Sequence, residues 1–222
     1  MAPVGGRPFL DYLLHWLKNE GADQVILCVG YKRSHIRRFV GGGRKWGLQV
    51  KYSVEHKLLG TGGAVKKAER LIPGRTLLVV NGDTFVDVRL SELMKFHQSR
   101  KTVATLTAVK VEDSWRYGAL RLDGRGRVTA FLEKGATDKT ERHERRRRLI
   151  NGGVYMFDKR ALKTIRTRKA TSLEKEVLPS LLGKKRVLGF ESEGFFLDIG
   201  IPEDLRRAQS ELPKRIRISH PR

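Results

Sequence analysis

The heptapeptide Leu77-Leu78-Val79-Val80-Asn81-Gly82-Asp83 decides how the whole chain is read. Four consecutive apolar residues, two of them β-branched, read as a strand buried on both faces, as in a parallel sheet. Asn81-Gly82-Asp83 then breaks the strand and leaves a carboxylate at its carboxyl end. In open α/β sheets that end faces the ligand crevice, and Mg²⁺ prefers one or two carboxylates plus phosphate oxygens. Taken alone, Asp83 reads equally as a metal ligand or as the cap of a turn.

Upstream of this stretch, strand and helix alternate. Phe9, Leu10, Leu13, Leu14, Trp16 and Leu17 recur at helical spacing and Gly21 stops the helix. Gln24 to Val29 reads as a buried strand, Ser34 to Phe39 as a short helix and Leu48 to Val54 as a half-exposed strand. Gly60-Thr61-Gly62-Gly63 follows, then a helix from Ala64 to Leu71. Downstream, Ser91 to His97 reads as helix, Thr102 to Val111 as strand and Tyr117 to Phe131 as a hairpin. Gly135 to Arg148 is highly charged and reads as a surface loop, with Arg145 to Arg148 a solvated face. Asn151 to Phe157 returns to strand, and Thr171-Ser172-Leu173-Glu174 reads as a capping box whose helix stops near Pro179. Two short strands end the sheet, the second running from Phe195 to Asp198, and Pro202 opens a last helix from Glu203 to Leu212. The alternation predicts an α/β fold with a mostly parallel central sheet flanked by helices. One domain is expected over residues 1–212, with residues 213–222 a disordered basic tail.

Bulk properties exclude several classes. The chain has 222 residues, 39% of them hydrophobic, enough for a substantial core. No apolar run nears the roughly 20 residues of a membrane span, and the N-terminus lacks a signal peptide's apolar core. The single cysteine, Cys28, lies in an apolar run and reads as a small core residue. Cytoplasmic localisation is the resulting expectation. Lys and Arg total 46 against 24 Asp and Glu, a formal net charge of +22. Such an excess favours anionic partners, but no zinc-finger spacing, RNA-recognition motif or basic zipper is present, so neither a specific nucleic acid nor a membrane is expected.

Two features suggest chemistry. Glu55 to Ala64 joins a strand to a helix through three glycines, whose backbone can approach a ligand closely and whose amides suit an anion or a base edge. The spacing matches neither the Lys-containing phosphate loop nor the dinucleotide fingerprint, so a tight structural turn is the competing reading. Phe195-Phe196-Leu197-Asp198-Ile199-Gly200 is a second strand that ends in an acid and a glycine. Asp83 and Asp198 could share a cation if their strands are neighbours, which periodicity does not reveal.

The ordered set Glu55…Leu59-Gly60-Thr61-Gly62-Gly63-Ala64, Val80-Asn81-Gly82-Asp83, Tyr117-Gly118, Glu133-Lys134, Asn151-Gly152-Gly153-Val154-Tyr155 and Asp198-Ile199-Gly200-Ile201-Pro202 resembles the sugar-phosphate nucleotidyltransferases. The resemblance runs from Pro3 to Leu212, and the Leu59–Ala64 form is more like the mannose-type and heptose-type guanylyltransferases than the thymidylyltransferases. It implies a Rossmann-like nucleotidyltransferase fold. It also implies an enzyme in which a sugar 1-phosphate attacks the α-phosphorus of a nucleoside triphosphate, GTP being favoured. The products are a nucleotide sugar, for surface polysaccharide biosynthesis, and pyrophosphate.

By the same resemblance Asp83 and Asp198 ligate Mg²⁺, and Lys134 neutralises the sugar phosphate. Glu133, Gly118, Asn151 and Gly152 meet the sugar, and Glu55, Gly60 and Thr61 meet the base. A homo-oligomer is compatible with the pattern. Glu174 is expected to serve only as a cap. The family opens with a strand and a Gly-X-Gly-Thr-Arg loop followed by Pro-Lys, whereas Met1 to Pro8 looks like the segment just after these. The usual first strand is therefore expected to be lacking, leaving its neighbours with unpaired edges. A start lying upstream is favoured over a degenerate copy. The alternative functions are a catalytically impaired nucleotide-sugar-binding or regulatory paralogue and, more remotely, a nucleic-acid-binding protein.

Overall fold

In a computed structural model of the chain, residues 1–111, 117–132, 148–166, 169–183 and 186–218 are described. The elements run β1 (Pro3–Val4), β2 (Arg7–Pro8), α1 (Phe9–Asn19), β3 (Gln24–Val29), α2 (Arg33–Val40), β4 (Gln49–Val54), α3 (Gly60–Ala68) and β5 (Thr76–Val80). There follow β6 (Thr84–Val86), α4 (Leu90–Ser99), β7 (Ala104–Val111), β8 (Ala119–Leu122), β9 (Val128–Leu132) and β10 (Arg148–Asp158). The chain ends with α5 (Leu178–Leu182), β11 (Val187–Ser192), β12 (Phe196–Asp198) and α6 (Pro202–Arg215).

The α/β class is as expected, but strand directions are mixed rather than mostly parallel. β10 is the hub of the main sheet and runs antiparallel to β5, β7 and β8, while β11 joins β7 in parallel. β3 and β4 pair in parallel as a separate ribbon, and β6 pairs antiparallel with β12. The antiparallel share lies in the second half of the chain, which contributes the β8–β9 hairpin and the long β10.

Helix α1 shows why the first layer forms. Phe9, Leu13, Leu14, Trp16 and Leu17 are buried along one stripe, and Gly21, at a φ of 88°, turns the chain out of the helix. Leu13, Trp16 and Leu17 pack in one core cluster with Val25 of β3 and with Leu78 and Val80 of β5. Across the sheet, Val65 of α3 packs with Leu77 and Val79 of β5, and the Cys28 Sγ of β3 lies 3.6 Å from the Ala64 carbonyl. Strands β3 and β5 thus lie between the same two helices, α1 and α3. Among the described residues each is hydrogen-bonded along one edge only, β3 to β4 and β5 to β10. This is the consequence expected of a lacking first strand.

The open edges explain two corrections. Leu78, Val79 and Val80 are half-buried instead of enclosed, and Cys28 is exposed rather than a core residue. The Cys28 sulfur nonetheless turns under α3, so surface area overstates access to it; burial and nearby Glu55 push the thiol up to about 11.

The C-terminus also differs from expectation. Helix α6 continues through Pro213 to Arg215, and Ile216 is buried in the α1 cluster, so residues 213–216 belong to the domain. Residues 219–222 lie outside the described set. Of the charged stretch 135–148, only Arg148 is described, and it begins β10 rather than ending a loop.

Candidate active site

Strand β5 delivers the Asn81–Asp83 turn, and β6 follows at once. Thr84 of β6 stands opposite Asp198 of β12, and the Ile199 amide donates to the Asp83 carbonyl at 2.9 Å. The two acids thus issue from adjacent positions across one short ribbon. Asp83 is exposed. Asp198 accepts the Gly200 amide on Oδ1 at 2.9 Å, which orients its carboxylate within its own turn.

Asp204, only 2% exposed in the first turn of α6, fixes the backbone beneath Asp198. Its Oδ2 accepts the Asp198 amide at 3.0 Å and the Tyr117 hydroxyl at 2.6 Å, while Oδ1 accepts from Arg207 at 3.0 Å. Burial, then the Asp204 carboxylate, push the Tyr117 phenol well above its ordinary range, so it stays a donor. Asp204 therefore ties Tyr117-Gly118 to Asp198.

On the other side of the Asp83 turn, β10 bulges between Asn151 and Tyr155. The bulge brings the glycine backbone against neighbouring side chains: a Cβ on Gly153, whose φ is 75°, would fall 2.4 Å from Thr84 Oγ1. A Cβ on Gly152 would fall 2.5 Å from Thr107 Oγ1. Both glycines are needed for this approach. The Asn81 amide donates to the Gly153 carbonyl at 2.9 Å, and Asn151 Oδ1 accepts the Gly153 amide at 3.2 Å.

A polar chain leads from here to the glycine loop. Asn151 Nδ2 donates to the Tyr155 hydroxyl at 2.8 Å, and Tyr155 donates to Glu174 Oε1 at 3.1 Å. Glu174 Oε2 accepts from Thr61 Oγ1 at 2.8 Å and from Ser172 Oγ at 3.0 Å. Burial, followed by Glu174, raises the Tyr155 phenol far above its usual range. Glu174 is thus an inward-turned hub rather than only a cap. Ser172 does cap, accepting the Lys175 amide at 3.1 Å, but the return bond to its own amide comes from Glu176 at 3.0 Å. That shift of partner leaves Glu174 free to turn inward. The helix also runs on through Pro179, as one widened turn (Leu173–Val177) and then α5.

The glycines of the Gly60–Gly63 loop serve packing first. Gly60, at a φ of 69°, would carry its Cβ 2.6 Å from the Thr171 carbonyl, which also accepts the Gly62 and Gly63 amides. Those two amides are therefore engaged by the chain itself. Glu55 folds back to accept the Leu59 amide at 3.1 Å and shapes the loop from inside.

Of the residues singled out from sequence, Asp83, Asp198, Gly118, Asn151 and Gly152 converge on one end of the sheet. Gly60 and Thr61 connect to that end through Glu174 and Tyr155. Glu133 and Lys134 lie outside the described residues. The sequence reading passed over Asp204, Tyr155, Asn81 and the inward role of Glu174. An acid in a helix's first turn reads as a favourable dipole charge, and only its burial marks Asp204 as different.

The donor set suits Mg²⁺ in one specific manner. Among the described residues no group of three or more His, Cys, Asp or Glu side chains could hold a metal. Two adjacent carboxylates open on one side are the partial set that a hard cation completes with substrate oxygens and water.

The chain as a whole is similar to known proteins. The sequence profile of the family described as Nucleotidyl transferase matches residues 1–215. The D-glycero-alpha-D-manno-heptose 1-phosphate guanylyltransferase of Aneurinibacillus thermoaerophilus is 38% identical over 212 residues, covering 96% of this chain and 88% of that one. The mannose-1-phosphate guanylyltransferase of Mycobacterium tuberculosis is 34% identical over 218 residues, covering 97% of this chain but 59% of its own length. The crystal structure of HddC from Yersinia pseudotuberculosis complexed with GMP-PN superposes with a TM-score of 0.81 at 30% identity, over 95% of this chain and 88% of that one.

Proposed function

This chain belongs to the nucleotidyl transferase family, and from that premise we propose that it transfers a guanylyl group from GTP to a sugar 1-phosphate, giving a nucleotide sugar and pyrophosphate. The observation that carries the reading is the single cluster of Asp83, Asp198 and the Asn151–Gly153 bulge around the Asn81–Thr84 turn. The heptose and mannose relatives and the GMP-PN complex point the same way for base and sugar class.

Asp83 and Asp198 are the residues that would hold Mg²⁺. When bound, the ion supplies charge neutralisation for the phosphates during in-line displacement. The remaining work is positioning. Asn151, Gly152 and Gly118 present backbone and amide groups to the sugar, with Glu133 accepting its hydroxyls and Lys134 neutralising its phosphate. Glu55, Gly60 and Thr61 border the base. Asp204 keeps Tyr117-Gly118 in register with Asp198, so the sugar side and the metal side move as one body. The product's use in surface polysaccharide synthesis and a cytoplasmic setting belong to the same proposal. Among the described residues no helix is long and apolar enough to cross a membrane.

The test is pyrophosphate release from GTP with mannose 1-phosphate or a heptose 1-phosphate in Mg²⁺, with Asp83→Asn and Asp198→Asn as controls. Turnover that both variants abolish supports the assignment. Turnover unaffected by either refutes it.

A further inference from the structure

The β8–β9 hairpin tip, the end of α4 and β11 border a half-open cavity of about 440 Å³ lined by Arg100, Gly124, Arg125, Arg127 and Leu188. We propose that this cavity is a second anion site, taking a small di- or triphosphate.

The three arginines come from two places in the fold, the end of α4 and the β8–β9 turn. Arg100 caps the C-terminal end of α4, with its guanidinium over the Phe96 ring at 5.4 Å, and Phe96 rests on Phe190. Arg125 and Arg127 sit in a turn whose backbone is fixed from two directions. Their amides both donate to Asp123 Oδ1 at 2.9 Å, and the Gly126 carbonyl accepts the Gly189 amide of β11 at 2.9 Å. Leu188, bridged to Arg127, lines the cavity from β11.

The charge around the cavity is unbalanced. Among the described residues, Asp123 is the one carboxylate engaged with this turn, and it is taken up by backbone amides that hold it below the usual carboxylate range. None of the three arginines makes an ion pair with a described residue. Guanidinium groups grip phosphate oxygens in pairs of parallel hydrogen bonds, and three of them together favour a multiply charged di- or triphosphate over a singly charged carboxylate or halide.

The site is separate from the Asp83–Asp198 cluster. Leu188 stands opposite Thr105, three residues along β7 from Ala108, which faces Asn151. β11 is three strand spacings from β5. These offsets amount to about 10 Å along the strands and about 14 Å across them.

The experiment titrates the whole chain with inorganic pyrophosphate and, separately, with GTP, without Mg²⁺, by calorimetry at low salt. Circular dichroism confirms the fold of each variant. Arg100→Ala/Arg125→Ala/Arg127→Ala is expected to weaken one binding event by about tenfold or more, since a single charge-assisted contact is worth that much. Lys134→Ala should leave this event unchanged. Arg125→Lys/Arg127→Lys should fall between, because it keeps charge and loses the fork. Stronger binding of pyrophosphate than GTP identifies the free inorganic ion as ligand, and the reverse identifies the nucleotide. Equal affinity in the wild type and the triple variant overturns the proposal, as does loss of all binding in Lys134→Ala. Should the triple variant not fold, the single exposed Arg125→Ala change decides by the same criterion.

Discussion

Replacing Asp204 by Ala tests whether one buried carboxylate holds the two halves of the candidate site together. Its Oδ2 receives the Tyr117 hydroxyl and the Asp198 amide, and its Oδ1 receives Arg207. Arg207 is half-exposed and keeps Glu211 at 3.2 Å, so its loss is minor. The Tyr117 and Asp198 donors are left without their acceptor. Hydrogen bonds to a charged group contribute about 1.5–3 kcal/mol each, and breaking such a buried set costs roughly 3–5 kcal/mol. For a chain of 222 residues, at about 2–4 °C per kcal/mol, Tm should drop by ~6–20 °C in scanning calorimetry. Asp204→Asn keeps one acceptor and should lose about half as much. Tyr117→Phe combined with Asp204→Asn should be non-additive by about 0.5–3 kcal/mol, because the two share a bond. A Tm change below ~2 °C for Asp204→Ala, or strict additivity of the pair, would refute the coupling.

Three further outcomes follow from the packing. Gly152→Ala places a methyl group 2.5 Å from Thr107 Oγ1 and 2.8 Å from Val109 Cγ2, and should destabilise by about 1–3 kcal/mol in urea unfolding; an unchanged midpoint would show that the bulge yields. Burial outweighs Asp158 and holds the His97 imidazole below its ordinary value, with Thr105 Oγ1 at 2.9 Å. The unfolded chain therefore takes up this proton first, so stability is full above about pH 6.5 and declines as pH falls below it, by up to ~1.4 kcal/mol per unit; His97→Gln should flatten that slope in urea melts at stepped pH. With its thiol pushed up to about 11, Cys28 should alkylate at pH 8 roughly a hundredfold more slowly than in the urea-unfolded chain; equal rates would show the sulfur to be unprotected.

Much of the site was readable in one dimension. Asp83 and Asp198 each announced themselves as an acid that ends an apolar strand, and Asn151 as the start of another. Such signals are local, since an apolar run fixes a strand and the residue that interrupts it must lie at an end. The inward turn of Glu174 was not local. Its spacing from Thr171 matched a capping box, and the choice between Glu174 and Glu176 as the return partner depended on where Thr61 and Tyr155 arrive. Asp204 was invisible for the same reason, since its partner Tyr117 arrives from a distant part of the chain. The glycines of Gly60–Gly63 were read either as room for a ligand or as a tight structural turn, and the closest neighbour they make room for is the Thr171 backbone.

The sequence by itself determined the α/β class, the order of the motifs and the expectation that one strand is lacking, because periodicity and residue type are properties of neighbours along the chain. Only the tertiary structure decided which carboxylates meet, that β10 turns the sheet antiparallel, and that the edges of β3 and β5 stay open between α1 and α3. Those outcomes depend on hydrogen bonds and contacts between residues far apart in the chain, such as Val80 with Val154 and Asp83 with Ile199. No window along the chain contains both partners of such a pair.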